Sequence, residues 1–301
     1  IIFVSALVNL LYYLGAIGFV VKWLGKAVGK LMGTTEVESF VAVANMFLGQ
    51  TSSPVLVSKY IRNLTDSEIF VILVSGMGSM EVSILAGYHA CGIPMEYLLI
   101  ASVLVPVGSI LVSKMILPQS GETKSITDVK MDNKGNNSNM IDAIAEGAAT
   151  GMQMVISIGA SLVAIIGLVA LINMVLGIAG ISLEQIFSYI FAPFGFLLGL
   201  EGKDALLEGA LLGQKMIMNE FVAFGNLGEV IKSLDTRTAM VASISLAGFA
   251  NVSSLGICVS GIAVLCPEKK STLSRPVVRA MLGGMLVSIL SATIVGIVAL
   301  F

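Results

Sequence analysis

Residues 38–63, ESFVAVANMFLGQTSSPVLVSKYIRN, carry a polar centre that is wrong for an ordinary membrane helix. Two apolar arms, 40–48 and 55–61, flank Gly49-Gln50-Thr51-Ser52-Ser53-Pro54, where a flexible glycine, amide and hydroxyl groups and a helix-breaking proline come together. An arm of about a dozen residues rises roughly 18 Å at ~1.5 Å per residue, about half of a ~30 Å hydrocarbon core. The stretch is therefore expected to enter the membrane, turn at mid-depth and leave by the same face as a re-entrant hairpin.

The surrounding composition agrees with a membrane setting. The chain is 56% hydrophobic and 12% charged, with a mean hydropathy of +0.96, which places it in the polytopic membrane class and argues against a soluble enzyme. A net charge of -2 gives no sign of nucleic-acid binding. Cys91, Cys258 and Cys266 form no CxxC pair and read as small apolar packing residues. With no initiator Met and an apolar start, the chain reads as a fragment whose earlier residues are missing, so any count of spans is a lower limit.

Outward from the hairpin, residues 1–21 are long and apolar enough to span, and Lys22, Lys26 and Lys30 then place charge on one face of an interfacial helix; 1–35 form a scaffold segment. After the hairpin, 69–90 is a span interrupted at Gly76-Met77-Gly78-Ser79, with Glu81 at mid-membrane, and 95–117 is an apolar span containing Pro106. Residues 118–140 are a polar loop assigned to the cytoplasm. Residues 141–181 are too long for one perpendicular crossing, so they should tilt strongly or break near 151–159. Residues 182–201 read as a second interfacial helix. From 202 the opening anomaly returns: apolar arms surround Gly213-Gln214-Lys215 and Asn219-Glu220-Phe221, a span breaks at 248–254, and 276–301 is the last span.

The order of hairpin, broken span and intact span thus occurs twice, at 36–117 and 202–301. With the first span ending in the cytoplasm, Lys22, Lys26, Lys30, Lys59, Arg62, Lys114, Lys124, Lys130, Lys134, Lys269, Lys270, Arg275 and Arg279 fall inside. Only Lys203, Lys215, Lys232 and Arg237 fall outside. One crossing between the copies makes the hairpins enter from opposite faces. The fold class is an all-α polytopic membrane protein with inverted repeats, an architecture of secondary transporters.

Irregular backbone at membrane depth is tolerated only where protein or a water-filled cavity supplies the missing hydrogen bonds, so the four broken elements should converge on one buried polar site. Gln50, Thr51, Glu220, Asn251 and Ser254 offer amides, hydroxyls and a carboxylate that suit a neutral, hydroxyl-rich molecule, and Phe249 adds a flat apolar wall. Asn45 and Ser79, with carbonyls released near Leu48 and Met80, could form an all-oxygen cage for a hard monovalent cation. An organic ring bearing a sugar fits the donors better than an inorganic ion. Helix capping alone would explain Gln50 and Thr51, yet six polar or flexible residues at mid-depth exceed what capping needs. Glu220 is either functional or paired with Lys215, or both, although a spacing of five is poor for a helical pair.

GQTSSPVLVSKYI (49–61), NEFVAF (219–224), GFANVSSLGI (248–257) and LCPEKKSTLSRPVVRAML (265–282) resemble the concentrative nucleoside transporters, in matching order along essentially the whole chain. The resemblance implies a homotrimer in the inner (cytoplasmic) cell membrane that moves nucleosides inward, coupled to Na+ or in some members H+, by an elevator motion against a trimeric scaffold. It also implies helices preceding Ile1. By the same resemblance, Gln50 and Thr51 face the base, Glu220, Asn251 and Ser254 hold the ribose, and Asn45, Leu48, Ser79 and Met80 hold Na+. One position departs: the family's tip acid is here Ser52, whereas Glu81 stands at a site that is usually small and apolar. The expectation is that the carboxylate has moved to the facing helix, altering base preference or supplying a protonatable group.

Two rival classes remain open on sequence: a channel, or a carrier of another small polar solute such as an amino acid or carboxylate. A pore needs a continuous polar stripe along several spans, and 95–117 and 276–301 show none. A membrane enzyme needs a nucleophile with a base, and a lone His89 without a metal-ligand cluster argues against it.

Overall fold

The computed structural model describes residues 1–120 and 137–301, so most of the expected cytoplasmic loop, with Lys124, Lys130 and Lys134, lies outside the described residues. Among the described residues the chain is helical, without strands: α1 (Ile2–Tyr13), α2 (Ala16–Met32), α3 (Glu36–Ser52), α4 (Ser58–Ile61), α5 (Asp66–Gly78), α6 (Val82–Ala90), α7 (Met95–Ile116), α8 (Met140–Leu176), α9 (Leu183–Leu197), α10 (Gly202–Ile217), α11 (Glu220–Val230), α12 (Thr236–Ser245), α13 (Val252–Leu265), α14 (Lys270–Ser274) and α15 (Val277–Val298). Polar caps start several of them. Thr35 with Glu38 and Thr65 with Glu68 form capping boxes, and Asn219, Asp235 and Asn251 each accept an amide proton from the first turn.

By length and composition alone, residues 36–61 could cross a membrane as one helix. The hydrogen bonds show a hairpin instead. Thr35 Oγ1 donates to Glu68 Oε1 at 3.1 Å and Thr65 Oγ1 donates to Glu68 Oε2 at 2.9 Å, so the entry and exit of this segment meet on one carboxylate. The turn is made at Gly49, whose φ of 71° and ψ of 178° lie in a region that side-chain-bearing residues avoid; the 3-10 turn Ser53–Val57 and α4 lead back. The second hairpin closes in the same manner: Thr238 Oγ1 donates to Asp204 Oδ2 at 3.0 Å.

The two closures lie on opposite faces. Lys114, near the end of α7, donates to Glu38 and Ser67 at the first base, while Arg62 pairs with Glu268 and Lys269 donates to Leu64 O just before α15 begins. At the far end of α15, Gly296 O accepts from Arg237, which also donates to Gly199 O beside the second base. Both α7 and α15 contain 22 residues and follow a proline cap, so each rises about 33 Å at ~1.5 Å per residue and separates the two bases by a membrane thickness. The repeats are inverted.

From the hairpin tip to the break the register is constant. A shift of 170 in residue number carries Gly49 to Asn219, Thr65 to Asp235, Gly78 to Gly248 and Glu81 to Asn251, each pair holding the same place at a helix break or cap. In the interior, α5 is buried from Ser67 to Gly78 between α3, α7 and α15. The opposite extreme is α8, which packs on α1 and leaves Val163, Ile166 and Met174 exposed, as an apolar helix facing lipid or another subunit does.

Several boundaries differ from the sequence-based expectation. The apolar run 1–21 is two helices, α1 and the start of α2, bent by 75° at Gly15 (φ 81°). The first broken span is helical through Gly78 and opens at Ser79-Met80-Glu81, because an isolated glycine weakens a helix without ending it when the neighbours are packed. For the same reason Gly213-Gln214-Lys215 is helical, and the second tip lies at Met218-Asn219. Of the two options for 141–181, α8 runs unbroken past 151–159.

Candidate functional site

The second tip delivers a carboxylate into the interior. Asn219 caps α11 by accepting from Val222 N at 2.9 Å, which places Glu220 at the first helical position, only 5% exposed. Tyr88 of α6 donates to Glu220 Oε1 at 2.9 Å, and Asn251 Nδ2 donates to Glu220 Oε2 at 2.9 Å. Asn251 in turn accepts from Ser254 N at 2.9 Å and Ser253 Oγ at 2.6 Å, so its amide is fixed as the cap of α13. Glu220, Asn251 and Ser254 are therefore one buried network.

The first tip lies against the same helix. A Cβ on Gly76 would come 3.0 Å from Gln50 Cβ and 3.9 Å from Cys258 Sγ, and one on Gly261 would come 3.5 Å from Thr51 Cγ2. Asn251, Ser254, Cys258 and Gly261 repeat every three to four residues and so share one face of α13. Glu220 meets that face at its start, and Gln50 and Thr51 meet it roughly 10–15 Å further along, at ~1.5 Å per residue. Gln50 Oε1 is buried and has no hydrogen-bond partner among the described residues, an acceptor positioned for a ligand. Half-buried Phe249 lies in the break of the second repeat.

Ser52 and Thr51 are exposed, and with Leu48 and Glu81 they line a cavity of about 430 Å³ between the first tip and α1 and α8. Glu81 packs onto the turn itself: a Cβ on Gly49 would come 2.8 Å from Glu81 Oε2. Ser83 donates to Glu81 Oε1 at 2.6 Å. The carboxylate on α6 thus stands beside the tip that lacks an acid. A second cavity, of about 540 Å³, lies between α8 and the outer side of the second hairpin, lined by Met218, Phe221 and Asn226 and by none of the candidate residues.

Among the cation candidates, Asn45 is the informative residue. Its Nδ2 donates to Ser75 Oγ at 2.9 Å, while its Oδ1 is buried without a partner among the described residues. An orphaned neutral oxygen is what a hard monovalent cation completes. Ser79 and Met80 are buried in the break directly after α5, and Leu48 is half-buried one residue before Gly49. Ser79 Oγ donates to Gly76 O at 3.1 Å, and Ser79 O accepts from Phe249 N at 3.2 Å. These four residues fit a site of carbonyl, amide and hydroxyl oxygens.

Two residues stand differently from the sequence reading. Lys215 does not pair with Glu220: its ammonium is fully buried and donates to Ser245 O at 2.9 Å, Ala247 O at 2.8 Å and Ser288 Oγ at 2.8 Å. Tyr88, a direct partner of Glu220, escaped notice because an aromatic in an apolar helix carries no signal of its own; its spacing of seven from Glu81, on one helical face, was the available hint.

Comparison with known proteins identifies the family of the chain. Residues 97–296 match the family described as Na+ dependent nucleoside transporter C-terminus, and residues 1–95 match one described as nucleoside recognition. The chain is 36% identical to nucleoside permease NupC of Helicobacter pylori, covering 99% of this chain and 73% of that protein. It is 31% identical to human solute carrier family 28 member 3, covering 99% of this chain and 47% of that protein. The solved structure of CNTnw in an inward-facing substrate-bound state superposes with a TM-score of 0.92 at 35% identity, over 98% of this chain and 73% of that one. With matches of this extent, the chain belongs to the concentrative nucleoside transporter family, a family of multi-pass membrane transporters and not of enzymes.

Proposed function

We propose that this protein carries nucleosides inward across the cytoplasmic membrane in symport with Na+. The observation that carries the reading is Glu220: a carboxylate at a half-helix start, deep in the protein, held on one oxygen by Tyr88 and on the other by Asn251 at the end of the second break. A carboxylate accepts from vicinal hydroxyls in a bidentate manner, which suits a ribose. Asn251 and Ser254 complete the ribose side, Gln50 and Thr51 face the base from the other hairpin, and Phe249 provides a wall for it. Glu81 and Ser52, beside the first tip, set base preference.

Na+ is taken by Asn45, Leu48, Ser79 and Met80, in direct continuity with the first tip, so that occupying the cation site orders Gln50 and Thr51. Substrate binding and cation binding are coupled through that hairpin. The two repeats, 36–117 and 202–301, move together as a transport unit in an elevator motion against 1–35, 141–181 and 182–201, and the exposed apolar length of α8 supports assembly as a homotrimer. Relatives of the same fold have been solved in inward-facing, outward-facing and intermediate states, which supports a mechanism of alternating access.

Binding of uridine, cytidine, adenosine and guanosine to the purified protein, titrated with and without NaCl, tests the reading. Na+ should tighten binding at least tenfold, and Glu220→Gln should remove it. Equal affinity in NaCl and choline chloride, or unaltered binding by Glu220→Gln, would refute the assignment.

A further inference from the structure

Glu81 and Asn251 hold the same place in the two repeats, each directly before the half-helix that follows its break, but their side chains do different things. Asn251 accepts from Ser254 N and so caps α13, whereas Glu81 makes no cap bond to α6. Its carboxylate turns toward the first tip instead. Ser83 Oγ donates to Oε1, Oε2 lies against Gly49 and accepts nothing among the described residues, and no lysine or arginine there pairs with either oxygen. A half-buried carboxylate at membrane depth that neither caps a helix nor meets a cation has acceptor capacity to spare.

That capacity opens into the cavity of about 430 Å³ that Thr51 and Ser52 also line, on the side where the proposed reading puts the base. Helix α6 relates this end of the site to the other. Glu81 and Tyr88 are seven residues apart on one face, so the carboxylate and the tyrosine that donates to Glu220 are separated by roughly 10 Å along the helix, at ~1.5 Å per residue. A purine nucleoside has about that reach from its sugar diol to the far edge of its base. The chemistry at that edge selects among bases. A carboxylate only accepts, and both of its oxygens engage at once when two N–H groups sit side by side. Guanine presents such a pair, N1–H and the N2 amino group, next to an O6 carbonyl that the hydroxyls of Thr51 and Ser52 can meet. Adenine and cytosine offer one amino group beside a ring acceptor, and uracil offers one N–H between two carbonyls; a carboxylate repels those acceptors.

We propose that Glu81 receives the N1–H and N2 amino groups of guanine, which makes guanosine the preferred cargo of a carrier that still takes the other nucleosides. The inference rests on the nucleoside reading of Glu220. It makes Glu81 a specificity-determining residue of the same site, standing in for the acid that Ser52 replaces at the tip.

Titration calorimetry of the purified full chain in NaCl with guanosine, 1-methylguanosine, inosine, adenosine and uridine tests this without any substitution. 1-Methylguanosine lacks the N1 proton and inosine lacks the amino group, so each should bind about tenfold or more weakly than guanosine, as should adenosine and uridine. Glu81→Gln exchanges one acceptor for a donor, which suits the N6 amino group and N1 of adenine, so the ratio of guanosine to adenosine affinity should fall at least tenfold. Guanosine bound no more tightly than 1-methylguanosine, inosine and adenosine overturns the inference whether or not that variant folds. So does a folded Glu81→Gln protein that keeps the wild-type ratio, even if it weakens every nucleoside alike. Those outcomes leave the nucleoside reading standing; if none of the five compounds binds, that reading falls and the inference falls with it.

Discussion

The main-chain amide of Phe249 donates to the carbonyl of Ser79 at 3.2 Å, and these two residues are counterparts, one in each repeat's break. The residues before them touch as well. A Cβ on Gly248, where φ is 96°, would come 2.6 Å from Gly78 O. The two interrupted helices therefore cross back to back at the centre of the protein, and each satisfies backbone that the lipid could not.

Gly248→Ala should consequently be among the most damaging small substitutions. It forces an alanine into a positive φ, at a cost on the order of 1–3 kcal/mol, and separates the two breaks besides. A lowered thermal midpoint and at least a tenfold loss of uptake are expected; Gly256→Ala on α13, where a Cβ meets nothing within 4 Å, should be close to neutral.

Gly49 makes the first tip, and Glu81 packs on it. Gly49→Ala should abolish uptake, and adding Glu81→Ala should restore little, since removing the carboxylate relieves the contact but leaves the backbone strain. Near-complete restoration in the double variant would show that crowding, and not φ, governs the tip.

Tyr88→Phe removes one of the two donors to the Glu220 carboxylate while preserving the ring contacts with Phe221 and Phe224. A hydrogen bond to a charged group contributes about 1.5–3 kcal/mol, so nucleoside affinity should fall roughly tenfold or more with the fold intact. Titration calorimetry beside a thermal melt separates the two effects.

Much of this was legible in the sequence, for a specific reason. Gln50, Glu220 and Asn251 are polar residues at a depth where polar groups are expensive, so they announce the breaks. What stayed hidden were features built from ordinary residues. Residues 1–21 are apolar throughout, and nothing in that composition marks the bend at Gly15. Gly76 and Gly213 resembled breaks but lie within helices, because packing overrides the weak preference of one glycine. The acceptors of Lys215 include two carbonyls, which every residue carries and no sequence pattern singles out.

At the first hairpin base, Lys114 pairs with Glu38, whose side chain is 2% exposed. Lys114→Met leaves that carboxylate buried without its cation, which costs roughly 3–5 kcal/mol for a well-buried pair. The lysine is 25% exposed, so the lower end is expected, read as a drop in the thermal midpoint. Glu38→Gln in the same background should recover part of it.

Asp235, exposed at the second hairpin base, has its carboxyl held below the ordinary aspartate range chiefly by hydrogen bonding from Thr238, whose amide donates to Oδ1 at 3.0 Å, with the Arg237 amide donating to the same oxygen. A depressed value in the folded state means a stabilising contribution that is present at neutral pH, above the unfolded value, and lost as pH falls through the folded value. Asp235→Asn should therefore lower the midpoint at pH 7 and flatten its decline toward pH 3, compared with the wild type.

The central claim is that two half-depth hairpins from opposite faces meet on one nucleoside, with a cation bound at the first. Uptake of radiolabelled uridine and adenosine into proteoliposomes, driven by an inward Na+ gradient, measures it most directly. Accumulation above the outside concentration that collapses when the gradient is removed, and that is absent in Glu220→Gln, is the predicted result. Nucleoside uptake that merely equilibrates and is indifferent to Na+, or accumulation that survives in Glu220→Gln, would contradict it.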